Sequence, residues 1–157
     1  MAAPGTGESY SVSSFTVSVR KGRFKVTAAV HEIGPDILVA VWGGNRPHIG
    51  AIGMAQPRQS LRDEEKVAAT SSVFTLLGHK EDLVVKPLSE EITRRFGRNS
   101  VVVAGIHWDN LTEEEIETAE KLCRSITGKI VRKLAGSDVN PSPTSPRPPH
   151  PESVAGA

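Results

Sequence analysis

Three histidines, His48, His79 and His107, each adjoin a glycine or lie two residues from one, and each falls at an expected strand end or helix start. Imidazoles so placed offer three kinds of chemistry. Brought together with Asp109 as a fourth or outer ligand, they form a three-histidine metal site, because neutral imidazole and carboxylate suit a first-row divalent ion. Taken with its neighbours, Gly78-His79-Lys80 brings backbone N–H groups, an imidazole and an ammonium to a helix N-terminus, where a phosphate is favoured. Thr70, Ser71 and Ser72 add hydroxyl donors to that set. His107 with Asp109 gives an imidazole oriented by a carboxylate, the usual arrangement for acid–base work.

Spacing restrains each of these readings. The histidines are too widely separated for a short metal motif. Neither G-x-x-x-x-G-K-[ST] nor G-x-G-x-x-G is present, so no phosphate-loop or dinucleotide fingerprint supports the anion reading, and no G-x-S-x-G elbow supports hydrolysis. Against every functional reading stands a plain one: a hydrogen-bonded turn histidine, a solvated Lys80, and Asp109 and Asn110 shaping a turn.

The elements that position these groups follow from periodicity. Val101–Val103 is an apolar β-branched run, expected as a buried strand that leads through Ala104 and Gly105 to Ile106-His107-Trp108-Asp109-Asn110. Thr112 and Glu115 form a capping box that opens a helix over about 112–134. Its apolar stripe is Ile116, Ala119, Leu122, Cys123, Ile126, Ile130 and Leu134. Earlier, Phe15, Val17 and Val19 alternate with polar residues, Lys21-Gly22 turns, and Phe24, Val26, Ala28 and Val30 alternate again, which predicts a β-hairpin. Gly34-Pro35-Asp36 is a turn, and Ile37–Trp42, apolar throughout, suits a central strand covered on both faces. After Gly43 and Gly44, residues 48–55 read as a strand of small side chains, which leave room for a close-packed helix or for a flat ligand. Residues 56–66 read as a loop or a weak helix, and 69–77 as a fifth strand. A helix running to about Phe96 either starts near Pro87 or kinks there, and Gly97 is placed to end it.

The expected order is β-β-β-β-β-α-β-α. This is an α+β fold, a mostly antiparallel sheet of about six strands with two helices packed on it. Residues 1–8 read as a flexible arm and 9–135 as a single domain. Residues 136–157 hold six of the eleven prolines and almost no large apolar group, which predicts disorder and removes His150 from the site.

Composition excludes several functions. With 19 Lys and Arg against 18 Asp and Glu, the net charge is +1, which gives no electrostatic case for nucleic acid or an anionic membrane. One cysteine rules out an internal disulfide, and Cys123 on a helix stripe reads as a packed thiol. No signal peptide and no membrane span are legible, so a cytoplasmic protein is expected.

Taken together, three strings resemble a known family: Gly43-Gly44-x-x-Pro47-His48-Ile49-Gly50-Ala51, then Thr70-Ser71-Ser72 leading to Leu77-Gly78-His79-Lys80, then Ala104-Gly105-Ile106-His107-x-Asp109-Asn110. Their order is similar to that of the LpdD-type prenylated-flavin chaperones over roughly residues 10–135. The resemblance implies a fold like that of proteasome assembly chaperones, a homodimer, and non-catalytic binding of prenylated FMN. The cofactor would be protected or delivered between a flavin prenyltransferase and a UbiD-type decarboxylase. It also implies that Gly78, His79 and Lys80 meet the phosphate, with Ser71 and Ser72 nearby. Arg46, His48, His107, Asp109 and Asn110 would line the polar side, Gly50, Ala51 and Gly53 would make room for the flat ring, and Gly43 and Gly44 belong to the same cofactor-binding set. Two alternatives stay open, namely a metal-dependent enzyme using His48, His79, His107 and Asp109, and an assembly chaperone with no small ligand. A metal ion beside the flavin is compatible with the first reading, since a cation can bridge protein groups and phosphate.

Overall fold

The computed structural model describes residues 12–137; the arm at 1–8, most of the proline-rich tail and His150 lie outside them. The elements are β1 (Val12–Lys21), β2 (Phe24–Ile33), β3 (Asp36–Gly44), β4 (Ala51–Gln59), β5 (Val67–Thr75), α1 (Asp82–Phe96), β6 (Ser100–His107) and α2 (Glu113–Ser137). The order and class are those the periodicity predicts.

One sheet holds all six strands in the spatial order β1-β2-β3-β6-β4-β5. Every neighbouring pair is antiparallel except β3 and β6, which run parallel with Val39 opposite Val102. Strand β6 thus enters between β3 and β4, which are consecutive in sequence. Gly22 and Gly34, at φ 58° and 56°, make the two tight turns of the β1-β2-β3 meander, a conformation that costs glycine little.

Both helices lie on one face. Val26, Val30, Val39 and Val102 point from the sheet into a single core with Val85, Leu88 and Ile92 of α1 and Leu122, Ile126 and Ile130 of α2. Small residues on β4 let α1 come close. A Cβ on Gly53 would lie 2.8 Å from the Val85 carbonyl oxygen, and Ala51 and Ala55 are wholly buried. Of the two uses for a small-residue strand, this chain takes the close-packed helix, so no room remains there for a flat ring at Ala51 and Gly53.

Among the described residues, no element packs on the opposite face. Leu38, Ala40 and Trp42 of β3, Val101 and Val103 of β6, Ile52 and Met54 of β4 and Phe74 of β5 share it by register. The apolar run Ile37–Trp42 is therefore covered by helices on one side only.

Three local details differ from the pattern reading. Strand β4 begins at Ala51, not His48, and runs on to Gln59 with Pro57 inside it. Proline is tolerated because pairing with β6 ends at Ala55, leaving that side of the strand free. Helix α1 starts before Pro87 at Asp82 and runs through it. The Leu83 carbonyl loses its Pro87 partner, but Leu83 is largely exposed and water can serve. Gly97 ends the helix at φ 63° and donates its N–H to the Thr93 carbonyl, as its position predicts. The Thr112–Glu115 capping box forms in both directions, at 3.3 and 3.0 Å.

Candidate functional site

The β3–β4 connection carries Arg46 and His48 back over the end of β6. Two glycines permit the crossing. A Cβ on Gly105 would overlap the His48 carbonyl, and one on Gly44 would overlap the His107 carbonyl. Asn45 N–H donates to that same His107 oxygen at 2.7 Å, and Gly50 N–H to Ala104 at 2.8 Å, so the segment is clamped to β6 at both ends. The turn before α1 then brings up His79, Lys80 and Glu81.

His48 and His79 meet. His48 Nε2 lies 3.0 Å from His79 Nδ1, and the rings are 4.6 Å apart at their centres. The third member is Glu81, whose Oε1 is 3.1 Å from His48 Nε2 and whose Oε2 is 3.5 Å from His79 Nδ1. Glu81 is 8% exposed. Its carboxylate accepts the Lys80 N–H at 3.0 Å and the Ile106 N–H at 3.3 Å. Gly50 makes room for it, since a Cβ there would overlap the carboxylate. That is the use the fold finds for Gly50, in place of the room for a flavin ring that the resemblance suggested.

His107 and Asp109 form a second pair at 3.0 Å, with Arg46 3.7 Å from Asp109. His107 stands beside the triad, its ring centre 6.5 Å from that of His48, but its Nε2 faces Asp109. Of the four-residue set His48, His79, His107 and Asp109, the structure joins the first two to Glu81 and pairs the other two with each other. Asn110 adopts φ 54° and turns the chain towards α2. Trp108 is buried edge-on against Phe24, ring centres 5.2 Å apart, which anchors this connection to β2.

A groove of about 740 Å³ opens from this cluster between α1 and α2. Gly78, His79, Lys80, Glu81 and His107 line its polar part, and Leu83, Val84, Pro87, Leu111, Ile116 and Ala119 its apolar walls. Cys123 also faces it, and burial pushes the thiol up to about 11, so it is a packed thiol and not a nucleophile. The N–H groups of His79 and Lys80 are already taken, by the Leu76 carbonyl and by Glu81, so an anion beside these two residues would meet their side chains and not their amides.

The serines lie elsewhere. Ser71 donates to Glu90 at 2.6 Å and accepts from Lys86 at 2.9 Å, while Ser72 pairs with Met54 on the face opposite the helices. Gly43 packs against β2, where a Cβ would lie 2.7 Å from the Lys25 carbonyl.

Glu81 is the residue that sequence reasoning missed. Its signal was its position two residues after His79, but a carboxylate in a charged turn reads as solvated. Residues 48–50 from the β3–β4 connection and Ile106 from β6 close over it in the folded chain. The groove was missed because both of its walls come from helix faces whose separation the sequence does not encode.

Residues 20–135 match the family described as the prenylated flavin chaperone LpdD-like domain. The chain belongs to this family. A curated relative, Protein LpdD of Lactiplantibacillus plantarum, is 23% identical over 124 residues, spanning 79% of this chain and 88% of the relative. Among solved structures, one described as a chaperone complex for yeast 20S proteasome assembly superposes with a TM-score of 0.51 at 14% identity. That match covers 80% of this chain and 96% of the other, and it shows a shared fold. Each glycine-histidine string that carried the resemblance supplies part of the cluster or the crossing that holds it. No helix among the described residues is long and apolar enough to cross a membrane.

Proposed function

We propose that this protein is a non-catalytic carrier of prenylated FMN, holding the cofactor in the groove between α1 and α2. What carries the reading is the groove itself in a chain of this family: a volume suited to one cofactor, with apolar side chains on both helical walls, polar groups from Gly78 to Glu81 and His107 on one side, and Glu120, Arg124 and Thr127 along α2. The flat ring system packs between Leu83, Val84, Ile116 and Ala119. The phosphate lies towards Lys80, His79 and His107, with Arg46 near its approach. The carrier receives the cofactor from a flavin prenyltransferase and passes it to a UbiD-type decarboxylase.

The same reading includes a homodimer. Among the described residues the sheet face from β3 to β5 has no helix over it, and on it Ile52, Met54 and Phe74 are 39%, 42% and 66% exposed. Its central residues, Leu38, Trp42, Val101, Val103, Ile52 and Met54, carry no charge. A patch without charge is complementary to itself, and a second copy would supply the missing layer over Ile37–Trp42.

The test is an anaerobic titration of the purified protein with reduced prenylated FMN, followed by absorbance and retained ligand after desalting. FMN serves as control. Retention of the prenylated form, weakened in Lys80→Ala and His79→Ala, is expected. If no flavin is retained by the wild-type protein, the carrier reading fails.

A further inference from the structure

We infer that His48, His79 and Glu81 form a binding site for a divalent first-row metal ion of the zinc class. The argument begins with tautomers. His48 Nδ1 is 2.9 Å from the Arg46 carbonyl oxygen, which can only accept, so Nδ1 carries the hydrogen and neutral His48 presents a lone pair at Nε2. That lone pair faces a carboxylate oxygen of Glu81 at 3.1 Å and His79 Nδ1 at 3.0 Å. A hydrogen on one of these nitrogens or a metal ion must bridge the three atoms, and with His48 Nδ1 engaged by the Arg46 carbonyl its free nitrogen is aimed at the same point as the other two donors.

The spacings suit a metal. Ligands about 2.0–2.1 Å from a tetrahedral ion stand about 3.3 Å from one another. His48 Nε2 and His79 Nδ1 stand 3.0 Å apart, Glu81 reaches the first with Oε1 at 3.1 Å and the second with Oε2 at 3.5 Å, and one ligand atom from each residue lies within 4.8 Å of the others. No other group of this kind is found among the described residues.

The surroundings are those of a built site. A ligating histidine usually gives its other N–H to a carbonyl, as His48 does to Arg46, and a ligating carboxylate is usually hydrogen-bonded, as Glu81 is by the Lys80 and Ile106 amides. Gly50 is kept without a side chain where the carboxylate passes. Two imidazoles and one carboxylate leave a fourth position for water or a ligand oxygen, and His79 and Glu81 both line the groove.

The site stands on its own donors and does not depend on flavin binding, so its test contains none. The full chain, stripped with chelator, is titrated with zinc(II) calorimetrically, and cobalt(II) is added separately to read its visible absorption. One ion per chain is expected, with the intense cobalt bands of a four-coordinate site. His48→Ala and His79→Ala should each weaken zinc by more than the ~10–100-fold that even outer partners of a ligand contribute. Glu81→Gln should weaken it as well, while His31→Ala, on β2 and outside the cluster, leaves it unchanged. Circular dichroism confirms that each variant is folded; His79 is partly exposed, so its variant keeps the test alive if Glu81→Gln unfolds. No zinc uptake, or uptake equal in wild type, His48→Ala and His79→Ala, would overturn the proposal. Flavin retained without zinc removes the metal site alone, and zinc without flavin removes the carrier alone.

Discussion

Gly50→Ala probes whether the site is held by the buried Glu81 carboxylate. Gly50 does not need positive φ, so its backbone accepts alanine, and the loss of unfolded-state freedom alone would stabilise the protein by about 0.4–1 kcal/mol. Against this, the new methyl overlaps the Glu81 carboxylate, which must leave its place. Two hydrogen bonds to a charged acceptor go with it, from Lys80 and Ile106, at roughly 1.5–3 kcal/mol each. Lys80 is exposed and its amide can turn to water, which reduces the loss. The net expectation is destabilisation by about 2–4 kcal/mol. Urea unfolding measures it, and a double-mutant cycle isolates the cause. In a Glu81→Ala background there is no carboxylate to displace, so Gly50→Ala should be neutral or slightly stabilising there. An equal cost in both backgrounds would show that the backbone, and not Glu81, requires the glycine, and the reasoning would fail.

Other expectations follow from single contacts. Arg98, 17% exposed, binds Glu32 at 2.6 Å and the carbonyls of Gly34, Pro35 and Asp36, so Arg98→Ala should cost about 3–5 kcal/mol in urea unfolding. The hydrogen bond from Lys86, and then that from Ser71, lowers the Glu90 pKa below its usual value of 4.5. Its stabilisation is therefore fully present above pH 4.5 and is lost as pH falls through the lower folded value; Lys86→Met should flatten that acid limb in a stability–pH series. With its pKa near 11, about one Cys123 in a thousand is thiolate at pH 8, so iodoacetamide should label the folded chain about 100-fold more slowly than the unfolded one. Under the proposed homodimer, Phe74→Glu places a charge on the face a second copy would cover and should lower the mass in sedimentation equilibrium to that of one chain; a wild-type chain that already sediments as a monomer would remove the homodimer.

Local structure was legible because alternation and the capping signals are local physics. The hairpin of Phe15–Val19 with Phe24–Val30, the stripe from Ile116 to Leu134 and Gly97 all stand where period and turn chemistry put them. Of the two readings offered for Pro87, a helix start there gives way to a start at Asp82, and the Leu83 carbonyl that loses its partner belongs to a largely exposed residue. The strings around His48, His79 and His107 were legible as a set, but their chemistry was divided differently. Whether Asp109 or Glu81 joins His48 depends on which carboxylate the crossing segment covers, and that is decided by β6 lying between β3 and β4. Nothing in the local pattern encodes the insertion: the apolar runs of β3 and β6 suit interior positions equally well whether they are neighbours or not.

The insertion of β6 also orders events in time. Residues 12–44 can form their meander, and β4 can pair with β5, as soon as each has left the ribosome. The 45–50 segment lacks two of its backbone anchors until Ser100–His107 arrives, because Asn45 and Gly50 donate to the His107 and Ala104 carbonyls, while the Gly50 carbonyl accepts from Leu76. The Ile106 amide that holds Glu81 arrives with the same strand. A chain that stops before residue 107 therefore lacks three of the backbone contacts that hold the crossing segment and Glu81 in place.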